Sequence, residues 1–299
     1  MEQRNAASKQ DVYQRVTDQI IAAIENGVGK WKMPWHSTGA MAPANVTSKH
    51  PYRGINTLCL MAAAAAKGYD SGEWGTYKQW KTKGAQVRKG EKATLIVLWK
   101  FADTKTKDEA EDSEEVQSRS RLLFVRGYSV FNAAQVDGYE APERIEKEPN
   151  EHIAEADEFF SATGAPVQHG GGRACYSEML DEITMPAFND FNSNTDYYST
   201  LAHEIVHWTS EASRCDRQLG KRFGDDAYAA EELIAELGAA FTCNHLGLSS
   251  EPREDHAQYI QHWLRVLKAD KKAIFIAASK AQQACDWMQK RAAVKAVAA

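Results

Sequence analysis

His203-Glu204-Ile205-Val206-His207 places two imidazoles four residues apart, with a carboxylate beside the first. On a helix, positions i and i+4 share a face, so both rings can reach one cation. Glu204 then stands where it can take a proton from an attacking water, the arrangement that water-activating zinc sites use. The flanks read as helix: residues 196–202 begin with helix-starting Asp196, and Leu201, Ile205 and Trp208 form an apolar face. Two histidines facing a core without a shared ligand would carry an unrepaid desolvation cost, which favours a metal between them.

A catalytic zinc usually takes three protein ligands, so a third is expected downstream. Residues 228–241 read as one helix, capped by Asp225 or Asp226, with Tyr228, Leu233, Leu237, Ala240 and Phe241 facing the core. Glu232 and Glu236 share a face, which allows Glu232 to bind the metal while Glu236 orients a ligand histidine. Glu231, one position round the helix, is the competing ligand, and Cys243 and His245 read as packed core or helix-end residues. Upstream, Gly170 to Ser177 and Ile183 to Met185 read as short strands, the first loosened by glycine, and an extended peptide could add to such an edge. Tyr197, Tyr198 and Arg173 are the candidates for steadying a developing oxyanion.

The 299 residues carry a net charge of −5 that hides opposite halves. Residues 1–100 hold 15 Lys or Arg against 7 Asp or Glu, and the rest hold 21 against 34, so the first part is suited to a polyanion. Five cysteines without CxxC spacing argue against a cysteine metal cluster and a disulfide framework, and so for a reducing compartment. No apolar run is long enough to span a bilayer and the N-terminus lacks a hydrophobic signal core; a cytoplasmic protein with no membrane contact is expected. Helical periodicity marks Asp11 to Asn26, with Val12, Val16, Ile20, Ile21 and Ile24 as its stripe, and Asn56 to Lys67. Strands are expected at Thr94 to Trp99 and Leu122 to Phe131, with a charged hairpin tip over Ala102 to Arg121. The Pro- and charge-rich segment 141–150 reads as a linker between a domain over 1–140 and one over 151–299. The second domain opens with a helix through Ile153 to Phe160 and ends with two amphipathic helices, Ala257 to Leu264 and Lys271 to Met288.

Five of the eight tryptophans fall in the basic half, interleaved with cations in Trp31-Lys32-Met33-Pro34-Trp35, Tyr52-Arg53-Gly54 and Trp74-Gly75-Thr76-Tyr77-Lys78-Gln79-Trp80-Lys81. Single-stranded nucleic acid offers bare base faces and a line of phosphates, which such alternation meets by stacking and charge. Lys81, Lys83, Arg88 and Lys89 would track the phosphates, Trp31, Trp35, Tyr52 and Trp74 would stack, and Lys32 and Arg53 would assist. Trp99, inside a strand, is the tryptophan assigned to the core. A metal-dependent nuclease fits poorly, since such sites favour clustered acidic ligands around hard cations.

Together the two sets of motifs resemble the ArdC-type antirestriction proteins of conjugative plasmids. Trp31 to Trp35, Tyr52 to Asn56, Trp74 to Tyr77 and Lys89 to Lys92 look like the family's N-terminal single-stranded-DNA-binding domain. His203 to His207 and Glu231 to Glu236 look like its C-terminal metallopeptidase domain. The resemblance implies an α+β protein: a mixed α/β DNA-binding domain, then a mainly helical gluzincin-like domain with a small edge sheet. It implies His203, His207 and Glu232 as ligands of Zn²⁺, with Mn²⁺ or another divalent cation as alternatives, and Glu204 as the base. It also implies protection of incoming plasmid DNA from restriction endonucleases. A protein substrate is a further expected partner, a host restriction component being one class.

Overall fold

Val16, Ile20 and Ile24 recur at helical spacing and are fully buried on the first helix, α1 (Val12–Gly27). The structure is a computed structural model and describes residues 11–27, 42–102, 121–140, 153–170, 172–217, 226–248 and 257–298. The chain continues through β1 (Ala44–Asn45), α2 (Ile55–Lys67), β2 (Glu73–Gly75), α3 (Tyr77–Thr82), β3 (Gln86–Val87), β4 (Thr94–Ala102), β5 (Arg121–Asn132) and β6 (Val136–Asp137). Then follow α4 (Ala154–Thr163), β7 (Val167–His169), β8 (Cys175–Ser177), β9 (Glu182–Met185), α5 (Asn194–Trp208), α6 (Asp226–His245), α7 (Ala257–Ala269) and α8 (Ala273–Ala298). This is the α+β architecture expected from the sequence, a mixed first half and a mainly helical second half with a small sheet.

The main sheet has the order β1-β2-β5-β4, with β1 parallel to β2 and the other pairs antiparallel. Its edge strand β4 is partly covered by Asn56 of α2, whose amide donates to the Val97 carbonyl and accepts the Val97 N–H, both at 2.8 Å. A capped edge cannot template a further strand at that point. Beyond it, β3 and β6 form a two-stranded antiparallel sheet, and β7-β9-β8 forms a third in which β7 runs parallel and β8 antiparallel to β9.

Trp74 and Trp80 are both fully buried. Trp74 packs against Leu60, Ala64 and Val130, while the Trp80 indole donates to the Phe131 carbonyl at 2.9 Å. Between them, a Cβ on Gly75 would lie 2.7 Å from Val46 Cγ1, so only glycine lets the strand sit this close. The stacking role expected of Trp74 is therefore corrected: the three-residue strand β2 carries its ring under α2 and the sheet, where no base can reach it. Trp99 is only partly buried and meets Phe275 edge-on. Trp31, Lys32 and Trp35, the charged tip over 103–120 and the linker over 141–150 lie outside the described residues.

The two halves share one apolar core. Residues of α1, α2 and β4 join those of α4 to α8 in a single buried cluster, and Tyr13 of α1 packs edge-on against Phe275 of α8 at 4.7 Å between ring centroids. Thr17 donates to the Lys271 carbonyl at 2.7 Å, and Lys268–Glu25 and Lys271–Asp11 pairs rim the contact at 2.7 and 2.6 Å. Trp74→Ala should destabilise the protein by about 3–5 kcal/mol, read by urea unfolding, because it empties a closed core site. A cost below about 1 kcal/mol would contradict the burial of this ring.

Candidate metal centre

Ser193 caps α5, its hydroxyl accepting the Asp196 N–H at 3.1 Å, and Asp196 in the first turn complements the helix dipole. The apolar residues Leu201, Ile205 and Trp208 are buried as their spacing requires, and they carry His203 and Glu204 into the interior with them. Helix α6 lies directly against α5. Where they meet, a Cβ on Gly238 would touch Val206 Cγ2 at 2.7 Å, so glycine permits an approach that any other residue would obstruct. That approach brings Glu231, Glu232 and Glu236 of α6 to the two imidazoles of α5.

His203 Nε2 and His207 Nε2 are 3.0 Å apart, and each lies 3.6 Å from a different oxygen of the Glu232 carboxylate. The donor atoms of these three residues lie within 4.8 Å of one another. Two ligand atoms about 2.1 Å from one tetrahedral ion are about 3.4 Å apart, so the donor set fits a divalent cation in both chemistry and span. The other carboxylates meet the far ring nitrogens: Glu236 is 3.6 Å from His203 Nδ1 and Glu231 is 3.4 Å from His207 Nδ1. Of the two acids the sequence left in competition, Glu232 faces both Nε2 atoms. Glu231 is held aside by Arg217, which donates to its two oxygens at 2.8 and 3.3 Å.

Burial opposes charge on Glu232, but hydrogen bonds to His203 and His207 prevail and hold its carboxyl far below the ordinary range. Burial likewise opposes charge on His207, yet Glu231 and Glu232 raise it to about 10. The pocket therefore favours positive charge between its carboxylates, the condition a cation needs.

Glu204 Oε2 accepts the Tyr176 backbone N–H at 3.0 Å, which fastens the edge strand β8 beside the motif. Both residues line a cavity of about 170 Å³, together with His203, His207, Arg173 and Tyr228. Arg173 is thus at the cleft, whereas Tyr197 and Tyr198 are buried core residues: the Tyr197 hydroxyl lies 2.9 Å from His169 Nε2, and that of Tyr198 donates to Asp157 at 2.8 Å. Besides Tyr176, two tyrosines that the sequence reading did not assign to the cleft line it, Tyr228 and Tyr259, whose rings stand 5.9 Å apart. Tyr228 was legible in principle, since it precedes Glu232 by one helical turn. Cys243 is buried, its thiol pushed up to about 12, and His245 ends α6, as expected of packing residues.

Among the expected DNA-binding residues, Lys81, Lys83 and Lys89 are exposed. Arg53 pairs with Asp286, and Tyr52 is half-buried with its hydroxyl accepting from Asn45 at 3.2 Å. Arg88 is exposed but braces the β3–β6 region, donating to Glu91 at 3.1 Å and to the Val136 carbonyl at 3.3 Å.

With both halves placed, residues 10–131 match the model of the N-terminal domain of anti-restriction factor ArdC, and residues 154–280 match that of a zincin-like metallopeptidase. The metal-free crystal structure of the antirestriction ArdC protein from plasmid R388 has a TM-score of 0.76 at 43% identity, over 95% of this chain and 98% of that one. The chain belongs to the ArdC family. The Mn(II)-bound structure of the R388 ArdC protein matches over the same shares with a TM-score of 0.74 at 41% identity. Protein y4eC of Sinorhizobium fredii is 48% identical over 95% of this chain and 94% of its own length. DNA primase TraC of Escherichia coli is 35% identical over 95% of this chain, which spans 27% of that longer protein. No helix among the described residues is long and apolar enough to cross a membrane. The zincin-like domain and the Mn(II)-bound relative point to a divalent cation at the ArdC-family site.

The pH dependence of the metal-free protein should follow from the two perturbed groups. Ionised Glu232 contributes stability above its ordinary pKa of 4.5 that is lost as the pH falls, while protonated His207 contributes stability below its ordinary 6.5 that is lost as the pH rises through about 10. Thermal unfolding in chelator should therefore show the melting temperature declining from pH 6.5 towards 10, and His207→Ala should flatten that arm. A flat profile in the parent protein would contradict the pairing.

Proposed function

We propose that this ArdC-family protein binds single-stranded DNA through its first domain, residues 1–140, and shields incoming plasmid DNA from restriction endonucleases in the recipient cytoplasm. We further propose that residues 151–299, joined to it by the segment 141–150, form a zinc-dependent peptidase domain. The observation that carries the second part is the convergence of His203 Nε2, His207 Nε2 and the Glu232 carboxylate beside Glu204 and an edge strand. Likeness to antirestriction ArdC over nearly the whole chain supports the first.

In this reading His203, His207 and Glu232 hold Zn²⁺, and the same donors accept Mn²⁺. The cation supplies Lewis acidity towards water and a carbonyl oxygen. Glu204 accepts the proton of the attacking water and returns it to the leaving amine. Strand β8 lies at the rim with no second sheet partner among the described residues and with its Tyr176 N–H held by Glu204, so an extended peptide aligned along the rest of that edge would set its carbonyl beside the water that Glu204 deprotonates. Arg173 and Tyr228 offer hydrogen-bond donors towards the oxyanion. Glu204→Gln keeps the shape and removes the base. Peptide hydrolysis should fall by roughly 10²–10⁴-fold with DNA affinity unchanged; undiminished hydrolysis would exclude Glu204 as the base. If plasmid protection survives in that variant, DNA occupancy alone provides the shield.

For the DNA half, Lys78, Lys81, Lys83, Lys89 and Lys92 are exposed around α3 and β3. The ring standing among them is Tyr77, which is 48% exposed and held by a hydrogen bond from Gln86 to its hydroxyl at 2.8 Å. This surface replaces Trp74 as the stacking and phosphate-tracking face. Replacing Lys81, Lys83 and Lys89 together by Ala should weaken binding to single strands and lower the slope of log affinity against log salt by about 0.7 for each phosphate no longer neutralised. Tyr77→Ala should cost about 1–3 kcal/mol of binding. An unchanged salt slope, or duplex competing as well as single strands, would contradict this surface.

A further inference from the structure

We infer that Arg217 is a positioning residue for the metal centre: with Glu231 it forms a buried clamp that ties the end of α5 to α6 and fixes the ring of His207. The inference rests on the reading of His207 as a ligand.

After α5 ends, a tight turn with Asp216 at φ 46° brings the chain back, fastened by the Cys215 N–H to the Thr209 carbonyl at 3.0 Å and the Arg217 N–H to the Ser210 carbonyl at 2.8 Å. The turn drives the Arg217 side chain inward until none of it is exposed. Its guanidinium then works in two directions. Towards α5 it donates to Thr209 Oγ1 at 2.8 Å and to the Val206 carbonyl, at the helix end where the dipole is negative. Towards α6 it donates through Nη2 and Nε to the two oxygens of Glu231.

Glu231 Oε1 is also the atom 3.4 Å from His207 Nδ1. A carboxylate there accepts the Nδ1 proton and leaves Nε2 with its lone pair towards His203 and Glu232, the orientation a ligand needs. A free carboxylate on an unbraced glutamate could swing to Nε2 or to the cation. The fork removes that freedom, because a planar guanidinium fixes both oxygens at once, whereas a lysine would supply one point charge. Residue spacing alone does not separate Glu231 from Glu232 as ligand; Arg217, fourteen residues upstream of Glu231 and outside both motifs, is what separates them.

The test is titration of the full chain with Mn²⁺, free ion being followed by electron paramagnetic resonance, on Arg217→Met, Arg217→Lys, Glu231→Gln and the double variant Arg217→Met/Glu231→Gln. Folding and single-stranded DNA affinity are checked in parallel. Each single variant that folds should bind Mn²⁺ about 10–100-fold more weakly, with lysine failing to rescue. The double variant should be no weaker than the weaker single one, since the two residues act as a unit. A folded Glu231→Gln with parental Mn²⁺ affinity, or effects that add in the double variant, would overturn the clamp. If Arg217→Met does not fold, Glu231→Gln decides alone. Parental affinity in His207→Ala would instead overturn the ligand assignment beneath it.

Discussion

The close approach of α5 to α6, set by Gly238 against Val206, is the constraint on which the second half of the molecule depends. Across it lie two imidazoles, three carboxylates and a guanidinium, nearly all withdrawn from water. Isolated, each charge would cost several kcal/mol to bury. Here the groups compensate one another: Glu231 between Arg217 and His207, Glu236 beside His203, and Glu232 between the two Nε2 atoms. A buried polar network of this kind is stabilising only when all its members are satisfied, and a divalent cation completes the balance between two imidazoles and Glu232.

The same architecture ties the first half of the chain to the half that carries the His–Glu cluster. α1 comes first in the chain yet packs against α7 and α8, and its buried stripe is continuous with the core beneath the metal helices. α2 then bridges from that core to the β4–β5 sheet, with Asn56 fixed on the strand edge and Gly54 held by Gln282 of α8 at 2.9 Å. A shared core of this extent gives the two family segments one packed foundation.

Much of this was legible in the sequence where periodicity was strong. The stripe of α1, the alanine-rich α2, the β4–β5 hairpin and the long helices α5 to α8 follow from apolar spacing, and the shared face of His203 and His207 follows from the i, i+4 rule, with Glu204 beside the first; spacing left Glu232 in competition with Glu231. What was not legible depends on residues distant in sequence. β1, β2, β3 and β6 are two or three residues long, too short for a period-two pattern to register. Trp74 and Trp80 sit among polar neighbours and read as surface rings, yet three-dimensional packing against Leu60, Val130 and Val46 buries them. Arg217 belongs to no motif; its role arises only where a turn and two helices meet.

The central claim is that His203, His207 and Glu232 grip one divalent ion. It is tested most directly by an anomalous-difference map from crystals grown with Mn²⁺. The account predicts one strong peak per chain, about 2.0–2.2 Å from His203 Nε2, His207 Nε2 and a Glu232 oxygen. A peak bound to Glu231 in place of Glu232, or the two Nε2 atoms turned apart with no peak between them, would contradict it.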